Sequence, residues 1–504
     1  MSRRRRRPRP DAATAPTPRC SAPPADVRLP DGFAVDLDPR TRRYAAGHAL
    51  LGGGPIRLLR LSPIAAALLG EDGRLVVRDR TSAALARRLL DTGVAHPQHD
   101  HEGDTPPPAT GSPRAHDVTV VVPVRDRTGG LGRLLTAVRC TAGGVGVLVV
   151  DDGSQDADAV AAVCARHGAT VLRHEVAKGP AAARNAGLAA AATPYAALLD
   201  SDCAPEAGWL PLLLAHLADP LVAAVAPRIV AAPGATGLLA RYEQVASSLD
   251  LGPRAGPVAP HGSVPYVPSA ALVVRRAALG GGYDESMRVA EDVDLVWRLV
   301  AAGWRVRYEP GARVTHEHRT TPWAWARRRA FYGTGAAPLA ARHAASVAPV
   351  VMSPVSALAW GLLALRRPWG PAAALGVVGW STYRLSRQLR DLRGHHVLAL
   401  RLVALGTGYA GRQLCSAAVR HYWPPALVLA AISRPARRLL GLAAVVDGLC
   451  GWWPRRADAA LLSYLAARRV DDLAYGAGLW WGALRWRRGA ALRPASSVGS
   501  RGRH

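Results

Sequence analysis

Across 504 residues there is one lysine, Lys178, and one asparagine, Asn185. Phenylalanine occurs twice and methionine three times, so the cores must be built from closely spaced Ala, Val and Leu rather than around aromatic anchors. The six cysteines, Cys20, Cys140, Cys164, Cys203, Cys415 and Cys450, form no C-x-x-C pair and keep no regular spacing, which excludes a disulfide framework and a zinc knuckle. A reducing cytosol is the simplest setting for them. Acids are scarce as well: Asp+Glu number 37 against 64 Lys+Arg, a net charge of +27. Charged residues make up only 20% of the chain and hydrophobic ones 49%, which excludes a disordered polyampholyte. No apolar run follows the basic start at Arg3 to Arg7, so a secretory signal is not expected.

A composition rich in Arg, Ala, Gly and Pro fits a G+C-rich genome that discards A/T-rich codons wherever chemistry permits. Lysine and asparagine both survive within residues 178–185, which marks that segment as functional.

Residues 1–26, without periodicity, read as a solvated basic tail. Residues 27–100 read as a small α+β unit: a strand pair at 33–37 and 57–61, then two short helical patterns. That order, ending in Leu89-Leu90-Asp91-Thr92-Gly93-Val94, resembles the PqqD-like peptide-recognition domains of enzymes that modify ribosomally made peptides. A dimerisation or regulatory module is the other reading. Residues 98–116, polar and containing Pro106-Pro107-Pro108, read as a linker. From Val118 onward, apolar runs at 118–124, 145–150, 169–172, 196–199 and 222–226 alternate with helical patterns. This predicts an α/β domain over 117–340 around a mostly parallel sheet buried on both faces, with ligands gathering at the carboxyl ends of the strands.

Acids and one basic loop stand at those ends: Asp126, Asp151-Asp152-Gly153-Ser154, Lys178 to Gly187, and Asp200-Ser201-Asp202. Asp-x-Asp at a strand tip offers two oxygens to a hard divalent cation such as Mg²⁺ or Mn²⁺, together with a diphosphate. Alone, such a tripeptide is as readily a helix N-cap. Glu291-Asp292 opens the helical pattern Val293, Leu295, Val296, Leu299, Val300, where an N-cap is again the plain reading.

The ordered set of Val121-Val122-Pro123-Val124, Asp151-Asp152-Gly153-Ser154, Gly179-x-x-x-Ala183-Arg184-Asn185-x-Gly187, Asp200-Ser201-Asp202 and Glu291-Asp292 resembles the family 2 glycosyltransferases of GT-A (Rossmann-like, nucleotide-sugar-binding) fold, over about residues 117–335. The resemblance implies a nucleotide-sugar pocket formed by Pro123, Asp126, Asp151 and Asp152, with Lys178, Arg184 and Asn185 along its wall and Asp200 and Ser201 at the ribose or sugar. It further implies a Mn²⁺ or Mg²⁺ ion held by Asp202 and by His316 of Val314-Thr315-His316-Glu317-His318. Asp292, beside Glu291, becomes the base that deprotonates the acceptor hydroxyl, with inversion at the anomeric carbon and a carboxylate of near-ordinary pKa. Gly281-Gly282-Tyr283-Asp284 and Tyr266 fall near the acceptor. The processive members' Gln-x-x-Arg-Trp is absent; Trp323 and Trp325, in Trp323-Ala324-Trp325-Ala326-Arg327-Arg328-Arg329, have no assigned role. Within the family, the extra terminal units look most like the mycofactocin-system branch, which implies β-linked glucose moved from UDP-glucose onto a peptide-derived redox cofactor. A transferase for cell-wall polysaccharide or glycolipid shares every one of these residues.

In the Ala-rich helical extension, 341–504, residues 344–365 run without a charge and are long enough to span a bilayer, although Pro349 and Pro354 weaken that reading and a buried bundle competes with it. Beyond Ala399, apolar segments broken by Arg401, Arg434, Arg437 and Arg438, with Trp452-Trp453 and Trp480-Trp481, read as amphipathic helices on an anionic membrane surface, at its cytoplasmic face. The positive charge also raises a nucleic-acid-binding protein, but no helix-turn-helix, RNA-binding aromatic motif or zinc finger accompanies it, and nucleic acid is not an expected partner.

Overall fold

In the computed structural model, residues 17–25, 27–98, 112–234, 236–318 and 321–496 are described. The Arg-rich start, most of the expected linker and the last eight residues lie outside them.

The amino-terminal unit contains β1 (Ala34–Leu37), β2 (Arg42–Tyr44), β3 (Ala49–Gly52), β4 (Arg57–Arg60), α1 (Pro63–Leu68), β5 (Arg74–Val76), α2 (Arg80–Thr92) and β6 (Ala95–Pro97). Helix α2 starts at a capping box between Asp79 and Ser82 and stops at Gly93, whose φ of 68° only glycine adopts cheaply. Its stripe of Leu85, Ala86, Leu89 and Leu90 is buried against Val35, Leu75 and Val77. The two expected strands do not pair with each other. β1 lies between β5 and β6, whereas β4 pairs with β3 in a second sheet, β2-β3-β4. Alternation within 33–37 and 57–61 marks strands but carries no information on which strand each will meet.

The catalytic layer runs β7 (Val118–Val124), α3 (Thr128–Thr141), β8 (Gly146–Asp152), α4 (Ala157–Arg166), β9 (Thr170–His174), α5 (Pro180–Ala190), β10 (Tyr195–Leu199), β11 (Cys203–Pro205), α6 (Trp209–Leu217), β12 (Val222–Ala231), α7 (Leu238–Ala246), β13 (Gly256–Pro257), β14 (Ala271–Arg275), α8 (Arg276–Leu279), α9 (Glu291–Ala301) and β15 (Arg305–His316). The sheet order is β11-β15-β12-β14-β10-β7-β8-β9, with β13 on β15. Only β10-β7-β8-β9 and the β12/β15 pair are parallel. β14 enters antiparallel between β10 and β12, so the sheet is mixed rather than mostly parallel. β9 is an edge strand and half exposed, not buried on both faces. One face packs on Leu131, Leu134, Val160 and Trp209, and the other on Ala183, Leu188, Leu295 and Val296. α5 approaches β7 so closely that a Cβ on Gly187 would lie 2.3 Å from Val121 Cγ1.

Residues 18–21, placed in the solvated tail by their composition, are docked instead. Trp304 Nε1 donates to Ser21 O at 2.7 Å, and Gly281 N to Arg19 O at 2.9 Å. The amino-terminal unit is locked to the catalytic layer by two bidentate ion pairs, Arg87–Asp219 (2.5 and 2.7 Å) and Arg305–Asp91 (2.7 and 2.8 Å).

The carboxyl-terminal part comprises α10 (Pro322–Thr334), α11 (Ala336–Arg342), the short strand β16 (Val351–Met352), α12 (Pro354–Ala364), α13 (Gly370–Gln388), α14 (His395–Arg420), α15 (Trp423–Ile432), α16 (Arg434–Trp452) and α17 (Leu461–Arg485). The uncharged run 344–365 is not one helix: Ser353 caps α12 and Pro354 opens it, so only its last turns are helical in one piece. Among the described residues no helix is long and apolar enough to cross a membrane.

Candidate active site

Three loops at the ends of the parallel strands are stapled to one another. The Asp126 amide donates to Ser154 Oγ (3.0 Å), and Asp126 Oδ1 accepts from Gln155 N (2.7 Å); its φ of 55° turns the chain away from Pro123 at the end of β7. Asp151 accepts from Ser154 N at 3.0 Å and pairs with Arg173. Asp152 meets His174 Nδ1 (2.9 Å) and accepts the backbone amides of Lys178 (2.9 Å) and Gly179 (2.7 Å). Burial opposes ionisation of Asp152, but His174 and these two amides outweigh it and hold the carboxyl below its usual range. Asp151 and Asp152 therefore act first as loop builders. The Lys178 side chain is exposed.

Arg184 is the hub. It is buried on α5, donates to Asp200 Oδ1 at 2.6 Å and to Glu291 Oε1 at 3.0 Å, and lies 5.6 Å from the Tyr283 ring centroid. Burial works against its charge, yet Asp200, Tyr283 and Glu291 raise its pKa further. One guanidinium thus ties the aspartate-rich strand tip to the first turn of α9. Asn185, the next residue, does not reach that network. Its amide donates to Tyr283 O and Glu285 Oε1, both at 2.9 Å, and accepts from Tyr283 N at 2.8 Å, clamping the loop at Gly281-Gly282-Tyr283-Asp284. The only asparagine of the chain holds the backbone of that loop.

Asp202 and His316 are brought together by strand register, since Cys203 on β11 pairs with His316 on β15. Their Oδ1 and Nε2 are 3.3 Å apart, and Arg127 takes the other oxygen of Asp202. Burial raises the Asp202 pKa, but His316 and Arg127 overcome it and hold the carboxyl far below its ordinary value. Two ligand atoms each about 2.1 Å from one octahedral ion lie roughly 3 Å apart, so this carboxylate and imidazole fit a shared divalent cation. Among the described residues no group of three or more His, Cys, Asp or Glu is arranged to hold a metal ion.

Asp292 is different. Its Oδ1 accepts from Val293 N (2.8 Å) and its Oδ2 from Ser269 N (3.3 Å), and among the described residues no cation forms an ion pair with it. Burial, and then the charge of Glu291, push its pKa up to about 6, not the near-ordinary value expected from sequence. Ser269 is fixed in turn by a 2.6 Å hydrogen bond to Tyr283. The Tyr266 phenol, pushed to about 12 by burial and by Asp292, lies in the same field.

Sequence reasoning passed over Arg328. Three consecutive arginines on α10 point about 100° apart and meet three fates. Arg327 is exposed. Arg328 is exposed too but donates to Tyr332 OH at 2.9 Å, and Tyr332, Asp200 and Asp202 together outweigh the desolvation of its guanidinium and raise its pKa. Arg329 is buried on Glu243 and Asp471. Trp325 is buried too, its indole donating to Glu243 Oε1 at 2.5 Å, so it offers no platform to a sugar, whereas Trp323 is exposed.

The model for "Glycosyl transferase family 2" matches residues 119–280. The chain is 50% identical over 481 residues to the pre-mycofactocin glycosyltransferase of Mycobacterium tuberculosis (strain H37Rv), covering 93% of this chain and 98% of that one. It is 30% identical over 204 residues to the succinoglycan biosynthesis protein ExoU of Rhizobium meliloti, covering 38% and 59%. Among solved structures it is similar to the mannosyltransferase PcManGT from Pyrobaculum calidifontis in complex with GDP-Man and Mn²⁺, at 19% identity and a TM-score of 0.36 over 67% of this chain and 87% of that one. Whole-length identity at this level, with acids at or just after the carboxyl ends of β7, β8 and β10, places the chain in glycosyl transferase family 2.

Proposed function

We propose that this enzyme is a metal-dependent, inverting hexosyltransferase that moves glucose from UDP-glucose, in β-linkage, onto the peptide-derived precursor of mycofactocin. The observation carrying the reading is the contrast between Asp202, held by Arg127 and His316, and Asp292, which has no ion-pair partner among the described residues. Asp202 and His316 hold the cation, which when bound neutralises the departing diphosphate. Arg184 holds Asp200 and Glu291 in place, and Arg328 adds positive charge on the diphosphate side. Asp292 accepts the acceptor hydroxyl proton as that oxygen attacks the anomeric carbon. A carboxylate with a pKa near 6 is ionised at neutral pH and is a better base than an ordinary aspartate. The acceptor assignment rests on the relative's name and on near-complete coverage of its length.

The same reading divides the chain into an amino-terminal unit (27–100), a transferase domain (117–340) and a helical extension (341–504). The first would be a PqqD-like domain that positions the peptide-derived acceptor, supported by its locked docking through Arg87 and Arg305.

The test is transfer by the full chain from UDP-glucose, GDP-mannose and UDP-galactose to the precursor, with Mn²⁺, Mg²⁺ or EDTA, followed by NMR of the anomeric proton. A β-glucoside formed only with metal and UDP-glucose is expected. An α-linked product or undiminished transfer in EDTA would sink the mechanism, and preference for another donor would sink the sugar assignment.

A further inference from the structure

We propose that α12 to α16 form a surface that docks onto one leaflet of an anionic lipid bilayer, so that the enzyme lies on the membrane without crossing it. This concerns placement and does not depend on the identity of the donor or acceptor.

Two helices carry the argument. α15 reads WPPALVLAAI and α12 reads PVSALAWGLLA, neither with a charged residue on any side. In α15 only Ala430 is buried. Leu427, Val428 and Leu429 occupy successive positions about 100° apart and are all exposed, as is Ile432, at 80%. A helix that is apolar all round belongs inside a protein or in lipid, and α15 is not inside this protein. On α16, Leu439, Leu442 and Val445 continue the apolar surface as an exposed stripe at helical spacing. The dimensions suit shallow insertion: α12 has 11 residues and α15 has 10, roughly 15 Å each, about half the hydrocarbon thickness.

Charge selects the partner. The acids of α16 and α17, Asp447, Asp471 and Asp472, are buried in ion pairs with Arg468, Arg469, Arg329 and Arg420 and contribute nothing to the outer surface. What faces outward is mostly cationic: Arg434, Arg437 and Arg438 are exposed directly after α15, and Arg384, Arg387 and Arg390 at the end of α13, against one exposed acid there, Asp391, which pairs with Arg390 and Arg60. Apolar side chains bordered by arginine, with exposed Trp380 and Trp453 nearby, match an anionic headgroup layer over hydrocarbon. A second copy of the chain would set arginine against arginine across the same face.

The test is flotation of the full chain with vesicles of pure phosphatidylcholine or of phosphatidylcholine with 30 mol% phosphatidylglycerol. Binding to the anionic vesicles at 50 mM salt, falling at least tenfold at 500 mM, is expected. Val428→Asp with Ile432→Asp should weaken it at least tenfold while leaving the circular-dichroism melt unchanged. As a readout that needs no substitution, the unmodified chain is also read with brominated lipids, where tryptophan quenching is expected from shallow bromine positions. Absence of flotation and quenching would overturn the proposal, as would capture by an acidic protein with no affinity for vesicles, or a dimer that the same substitutions dissociate.

Discussion

The catalytic sheet and the carboxyl-terminal helices are built from much the same apolar residues, yet one region buries them and the other displays them. Val120, Val149, Ala197 and Leu198 are wholly inaccessible because helices cover both faces of the sheet. Val428 and Ile432, no less apolar, have no covering layer among the described residues. Apolar composition reports a need for a non-aqueous partner; it does not say whether that partner is protein or lipid. Carboxylates divide in a parallel way. Asp447 is ringed by Arg468 and Arg469, which overcome burial and lower its pKa, a structural use of charge. Asp292 has no ion-pair partner among the described residues, and burial and Glu291 outweigh the more distant charge of Arg184 and raise its pKa.

The contrast between clamped and free acids is broken most directly at the site. Asp202→Ala should reduce transfer by about 10³-fold or more and abolish its metal dependence; steady-state rates against Mn²⁺ concentration decide it. Asp292→Asn should reduce kcat by about 10² to 10⁴-fold with donor affinity, measured calorimetrically, retained. In the parent enzyme kcat/KM should fall tenfold per pH unit below about 6, because only the ionised Asp292 accepts a proton. The folded pKa of Asp292 lies above the ordinary 3.8, so its ionisation weakens folding as pH rises through that window and most fully above it. Asparagine removes this penalty, and Tm at pH 7.5 should hold or rise.

Arg184→Ala tests the opposite case. Loss of the hub leaves Asp200 and Glu291 without their buried cation, and stability should fall by about 3–5 kcal/mol, read by urea denaturation. The smallest effect sharpens the comparison of apolar surfaces. Val149→Ala in the sheet should cost about 2 kcal/mol or more, whereas Val428→Ala should stay within about 0.5 kcal/mol in water. Equal costs would mean that α15 is covered by protein after all.

Legibility followed the range of the interaction. The five apolar runs and the acids after them were readable because strand periodicity and strand-end chemistry are local. The roles of Lys178 and Asn185 were only half readable. Their survival against codon bias marked the segment, but that Asn185 clamps the Tyr283 loop depends on a residue about a hundred positions away. Arg328 and Arg329 could not be separated within a run of three arginines, because their difference is one of direction around a helix axis. Neither could the pairing of β1 with β5 and β6, nor the insertion of β14, since alternation alone does not select a strand partner.

By itself the sequence determined an α/β domain whose strand tips carry carboxylates in the order used by its family, because backbone periodicity and the residues after each strand are properties of short segments. Only the tertiary structure decided which of those carboxylates is neutralised, which is shared through Arg184 and which is left to rise toward pH 6. That choice rests on burial and on partners supplied by distant parts of the chain, and electrostatic energy depends on distance in space rather than along the sequence.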